Sequence, residues 1–293
     1  MSESPINDVS DTAFWIAQHR AIESARADAL FRDPLAARLA GERGQQIARA
    51  MPHAGVIGWS VAIRTRIIDE FIGAALEDGI DAVLNLGAGL DARPYRMDLP
   101  ASLLWVEADY PRIIEYKESR LAGERPRCRL ERVKVDLSDG AARRALLAAV
   151  NARAKRLLVL TEGVVPYLSA EEAGVLADDL RGMDRAARWV VDYFSPQMMK
   201  YRERMGMGRA MRNAPFKFKP PDPIAFFAAH GWRLREIRYF ADEAARLGRP
   251  RPMPLPMRLG LKLLALLGPK ERLDALRKFA GYMVLEPSSG NAN

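Results

Sequence analysis

The sequence has one cysteine, Cys128, and three histidines, His19, His53 and His230, in 293 residues. A single thiol excludes an internal disulfide, and the histidines are too few and too scattered for a recognisable metal-ligand spacing. No metal is therefore expected. Long apolar runs are missing too: LGLKLLALLG, the longest, from Leu259, is interrupted by Lys262 and falls far short of the roughly 20 residues of a membrane span. The opening MSESPINDVSD is polar and acidic, without the basic flank and apolar segment of a secretory signal, so a cytoplasmic location is expected. The net charge of +8 comes from Arg and Lys interspersed with Asp and Glu. That pattern reads as a solvated mixed surface rather than a nucleic-acid stripe.

What is present is 49% hydrophobic content, enough for one large core. Apolar, β-branched runs recur between helical patterns: AVLNLGAG from Ala82, LLWVEAD from Leu103, ERVKVDL from Glu131, RLLVLTEG from Arg156 and RWVVDYF from Arg188. Strands alternating with helix-length segments predict a parallel sheet with helices on both faces. LREIRYF from Leu234 and GYMVLE from Gly281 complete seven strands, the last antiparallel. The expected class is thus α/β, Rossmann-like and seven-stranded. Residues 1–80 form an N-terminal helical cap, in which Val61, Ile63, Ile67, Ile68, Phe71 and Ile72 share one helical face. The sheet domain spans 81–287, with insertions at 195–222 and 241–280 and a tail at 288–293. The first insertion, rich in Met and Arg, is expected to act as a lid over an apolar, anionic acceptor, with a surface helix and ordinary Met packing as the alternative. The basic helix pattern after Met257 is expected to cover the sheet, with a membrane-surface contact as the alternative.

The stretch NLGAGLDARPYR carries the chemistry. Gly87, Gly89 and Ala92 satisfy a permissive dinucleotide fingerprint, and Asp109 lies about 20 residues downstream, where a ribose-binding carboxylate belongs. Yet Asp91 inside the loop would repel a pyrophosphate, and Pro94 removes an amide donor. S-adenosylmethionine (SAM) carries no phosphate and bears an ammonium, so charge favours it over NAD. Asp109, Asp136 and Glu162 each follow a predicted strand and face one crevice, suited to ribose, adenine amine and methionine end in turn.

The motifs ESARADALFRDPLA, RTRIIDEF, NLGAGLDARPYR, EADYP, VDL and TEGVVPYLS, in order from Glu23 to Ser169, resemble the leucine carboxyl methyltransferase family of SAM-dependent O-methyltransferases, whose bacterial relatives include enzymes acting on small natural products. The resemblance implies cofactor contacts from the turn Gly87, Ala88 and Gly89 with Asp91, from Asp109 and Tyr110 at the ribose, from Asp136 and Leu137 beside adenine, and from Glu162 and Gly163 near the methionine end. It also implies an Arg before the first strand that meets a carboxylate. Arg64, which opens RTRIID, is favoured, Arg66 is available, and Arg26 is a second basic candidate, with an ion pair to Asp28 or Asp33 as its alternative role. A carboxylate acceptor needs no base, whereas a phenol or alcohol benefits from one. Arg64, Tyr193 and His230 are the catalytic candidates. The expected activity is O-methylation of a small acidic metabolite such as a polyketide. An NAD-dependent oxidoreductase, a protein carboxyl-terminal methyltransferase and a non-catalytic basic module are the alternatives.

Overall fold

A computed structural model describes residues 4–256, 259–260 and 268–288. The first part of the basic helix pattern after Met257, apart from residues 259–260, and nearly all of the expected tail lie outside the described residues. Three helices come first: α1 (Asp11–Ser24), α2 (Ala36–Ala50) and α3 (Ala54–Glu77). The sheet units follow: β1 (Ala82–Leu86), the short α4 (Arg93–Arg96), β2 (Leu104–Asp109), α5 (Pro111–Arg120), β3 (Arg129–Lys134), α6 (Gly140–Asn151), β4 (Leu157–Thr161), α7 (Ala170–Arg181) and β5 (Ala186–Phe194). After β5 come α8 (Pro196–Arg204), α9 (Met207–Ala210), α10 (Pro223–Ala229), β6 (Trp232–Tyr239), α11 (Phe240–Arg246), α12 (Lys270–Arg277) and β7 (Ala280–Pro287).

The seven strands form one sheet in the order β3-β2-β1-β4-β5-β7-β6, with β7 antiparallel to both its neighbours. Every residue of β1, β2 and β4 is buried, as parallel strands covered on both faces require, while β3 and β6 at the edges are half-exposed. One face packs on α6, α7 and α10 through Leu146, Leu176, Leu180 and Phe227. The other packs on α3 and α11: Ile63, Ile67, Ile68, Phe71 and Ile72 meet Val83, Trp105, Leu158 and Val190. Each such apolar side chain, fully withdrawn from water, stabilises the fold by about 1.5–3 kcal/mol.

The first two helices lie over the ends of β1 and α5, where Ala17, Leu35 and Leu39 pack with Leu90, Ala92 and Ile113. In addition, Ile6, Trp15, Ile47 and Met51 form a cluster with Met207, Met211 and Ala214. The N-terminal helices and the first insertion are therefore packed on each other, which encloses the space beyond the carboxyl ends of the parallel strands. Among the described residues no helix is long and apolar enough to cross a membrane.

Candidate active site

The cleft starts where β1 ends. Gly87 and Gly89 have φ of 65° and 48°, which favours residues without a Cβ, and the Gly87 amide donates to Ala108 O at 2.8 Å. A Cβ on Gly87 would lie 2.4 Å from Val164 Cγ2, so the turn also needs glycine for close approach to the loop after β4. Beside it, Asp109 ends β2 and accepts hydrogen bonds from the amides of Gly89 (2.6 Å) and Tyr110 (2.7 Å). Burial pushes its carboxyl up despite those amides. A carboxylate offers about four acceptor sites, which leaves capacity for two hydroxyls of a ligand.

An ion-pair hub anchors the floor. Arg93, 2% exposed, reaches Asp69 through Nε (2.7 Å) and both Asp91 (2.9 Å) and Glu162 (2.8 Å) through Nη1. Arg96 holds the far side of Asp69 with two hydrogen bonds of 2.7 Å. Burial acts to raise the Glu162 carboxyl, but Arg93 and Arg64 outweigh it and hold Glu162 low. Asp91 is likewise held low, by Arg93 above all, and accepts from Asn85 Nδ2 at 3.0 Å. That pairing changes what Asp91 means. Its charge is answered inside the protein, so repulsion of a pyrophosphate by Asp91 alone is weaker than the sequence suggests.

Arg64 projects from α3 into the cavity with Nε 3.0 Å from Glu162 Oε1, and among the described residues its terminal nitrogens have no hydrogen-bond partner. Arg66 points elsewhere and pairs with Glu70 at 2.7 Å. Asp192, near the end of β5, faces the same space. It accepts from Tyr282 Oη (2.6 Å) and from the Gly163 amide (2.9 Å), and burial pushes it up to about 6. Ala88, Tyr110, Leu137 and Gly163 also line the cavity, with Leu137 O held by Arg143 Nη1 at 2.7 Å.

Four sequence-derived assignments move. Tyr193 neighbours Asp192 in β5, and side chains alternate along a strand, so it points to the opposite face of the sheet and packs on Tyr239 at 5.6 Å. His230 caps α10 on the sheet's outer layer, where Nδ1 lies 2.7 Å from Asp178 and the ring sits under Gly174. Neither is among the residues that line this cavity. Arg26 is exposed and pairs with Asp28 at 2.9 Å, outside the cavity wall. Asp136 is exposed beside Leu137 and accepts from the Ser138 amide (2.9 Å) and hydroxyl (2.7 Å), so it is not part of the wall either. Arg93 and Asp192 went unassigned, although both stand inside quoted motifs. An Asp in the apolar run RWVVDYF was the available signal, because a buried carboxylate needs a reason.

The donor set suits SAM. Asp109 can take ribose hydroxyls, Tyr110 and Leu137 can flank adenine, Arg64 has free donors for a carboxylate, and Glu162 can answer an ammonium. With Asp91 answered by Arg93, the cavity at this end is left with Asp109, Glu162 and Asp192 against the guanidinium of Arg64, which fits a ligand of net positive charge better than a diphosphate.

Residues 13–180 match the leucine carboxyl methyltransferase family. The chain belongs to that family. It is 32% identical over 276 residues to a protein of Mycobacteroides abscessus provisionally named an S-adenosyl-L-methionine-dependent methyltransferase, covering 83% of this chain and 90% of that one. A Mycobacterium avium protein of the same provisional name is 34% identical over 274 residues, covering 84% and 86%. In fold, the methyltransferase is similar to a DUF574-family protein from Streptomyces avermitilis (TM-score 0.55, 15% identity, 93% and 97% covered). A provisionally named methyltransferase from Thermobifida fusca is equally similar (TM-score 0.55, 13% identity, 97% and 96% covered). This is a SAM-dependent methyltransferase.

Proposed function

We propose that the methyltransferase acts on an oxygen, a carboxylate or an acidic hydroxyl, of a small acceptor with an apolar body. One observation carries this reading: the cofactor end opens into a cavity of about 1610 Å³ whose remaining wall includes Met and aromatic side chains, among them Trp59, Phe194, Met198, Met205 and Phe216. Flexible thioethers and rings suit an apolar molecule of adaptable shape.

When bound, SAM supplies an electrophilic methyl on a sulfonium. This chain's residues supply position. Asp109 and Glu162 fix the two ends of the cofactor, Arg64 orients a carboxylate, and the apolar wall excludes water from the line of attack. Holding two reactants in such a geometry accounts for much of the rate gain in a displacement of this kind. A carboxylate acceptor is ionised at neutral pH and needs no base. The second reading, an acidic hydroxyl, is favoured by Asp192: a buried carboxylate on the cavity wall, pushed up to about 6, is poised to accept a proton near neutral pH.

The test is transfer of tritiated methyl from SAM to a panel of apolar carboxylic acids, phenols, amines and thiols, followed by alkaline treatment. Methyl esters release volatile methanol and aryl ethers do not. Label appearing only on nitrogen or sulfur would overturn O-methylation. A rate falling steeply in Asp192→Asn for phenols but not for acids would establish the base.

A further inference from the structure

Arginines in the cavity wall are, as a rule, given carboxylates. Arg20 has Asp33, Arg64 has Glu162, Arg143 has Asp179, and Arg277 has Asp242 and Asp274. Two half-buried members of the wall break that rule. Arg202, on α8, lies flat over the Phe216 ring, with Cζ 3.7 Å from the centroid, and its Nη2 is 2.7 Å from Met211 Sδ. Arg251 sits between the rings of Trp59 (6.0 Å) and Tyr201 (5.8 Å), and its buried Nε has no hydrogen-bond partner. Among the described residues neither has a carboxylate within ion-pair distance. Arg144, also unpaired, is exposed and solvated.

A guanidinium withdrawn from water without a counter-ion is costly, and rings and sulfur return only part of that cost. Desolvation lowers the Arg202 guanidinium, in keeping with a charge left without an answering anion. Both line the one cavity, and Arg251 packs on the ring of Tyr201, the residue before Arg202 on α8. The acids of the cofactor end stand at the ends of β1, β2 and β4 and, with Asp192, on β5, the strand from which α8 springs. The two arginines without carboxylates thus lie on the segments that continue the wall beyond those strand ends.

We propose that Arg202 and Arg251 form an anchor for the carboxylate of an apolar acceptor, so that the preferred substrates are amphipathic carboxylic acids rather than their neutral counterparts. The planar donor forks of arginine match a carboxylate geometrically, and the aromatic rings behind them hold those forks in place. The inference rests on the methyl-transfer reading and specifies its acceptor class.

The experiment uses the full chain loaded with S-adenosylhomocysteine. Neutral N-phenyl-1-naphthylamine reports occupancy of the apolar cavity by fluorescence, and decanoate and decan-1-ol compete for it. Decanoate should displace the dye at about a tenfold or lower concentration than decan-1-ol, the span expected of one charged hydrogen-bonded contact. That advantage should shrink as salt rises and be lost in both Arg202→Met and Arg251→Met, while affinity for S-adenosylhomocysteine stays at the wild-type value. Equal competition by the two chains, or an advantage that survives both substitutions, overturns the anchor. The salt titration on the wild-type chain decides the matter even if a substituted chain does not fold: an advantage insensitive to salt overturns it too. Failure of S-adenosylhomocysteine to bind the wild-type chain would instead strike the methyl-transfer reading.

Discussion

Arg93 is the side chain on which most of the site's charge depends. Replacing it with Met would leave Asp69, Asp91 and Glu162 facing one another in a dry environment; Asp69 would keep Arg96 and Glu162 would keep Arg64, but Asp91 would lose its ion pair. Breaking a buried pair on one side costs about 3–5 kcal/mol, so Arg93→Met should lower the denaturation midpoint sharply and abolish cofactor binding with it. Unchanged stability would mean that the three carboxylates are hydrated. His19 makes a pH-dependent contribution. Burial, and next the charge of Arg64, push its ring down to about 4, so the folded protein favours the neutral form. A depressed basic group gives its full stabilisation above its ordinary value of 6.5 and loses it as pH falls toward 4. The loss amounts to at most about 3 kcal/mol. Denaturant unfolding of His19→Gln should therefore show a shallower decline between pH 7 and pH 4 than wild type. Parallel declines would show that His19 is protonated without penalty.

At the scale of elements, the turn after β1 and the strand β5 show how far side-chain placement follows from local rules. In Gly87→Ala, the positive φ and the contact with Val164 Cγ2 act together, and a loss of about 1–3 kcal/mol is expected. Val164→Ala should return only the steric part, because the backbone conformation remains strained for any Cβ. Full rescue in a double-mutant cycle would show that the φ penalty is negligible. That glycine turn, the buried runs of β1, β2 and β4, and the apolar face of α3 were legible in the sequence because period and turn chemistry are local. Tyr193 was misread for want of the same rule: its neighbour Asp192 faces the cavity, so alternation sends Tyr193 away. His230 differs for another reason: its partner, Asp178 on α7, lies 52 residues away, and a pairing of that kind appears only when the helices are packed. Arg26 takes the ion pair with Asp28 that the sequence offers as its alternative role. The bridging of Asp69, Asp91 and Glu162 by Arg93 is likewise tertiary, since it joins α3, the glycine turn and the loop after β4.

For the whole molecule, the seven strands with an antiparallel last one were readable from seven apolar runs, and the family from their motifs, whereas the strand order came only with the structure. The enclosure of the cavity was not. It arises because Trp15 and Met51 from the N-terminal helices share a cluster with Met207 and Met211 from the segment after β5, which binds the cap to the insertion. The result is one space with carboxylates at one end and an apolar, arginine-bearing wall at the other, which we propose as the shared site of cofactor and acceptor. Calorimetric titration with S-adenosylhomocysteine, beside NAD and with Asp109→Ala as the comparison, asks whether that acidic end is the cofactor site. Saturable binding of S-adenosylhomocysteine alone, weakened about tenfold or more in Asp109→Ala as loss of hydrogen bonds to a charged group implies, is the expected result. Binding of NAD instead, or equal affinity in Asp109→Ala, would contradict the placement of the cofactor at the ends of β1, β2 and β4.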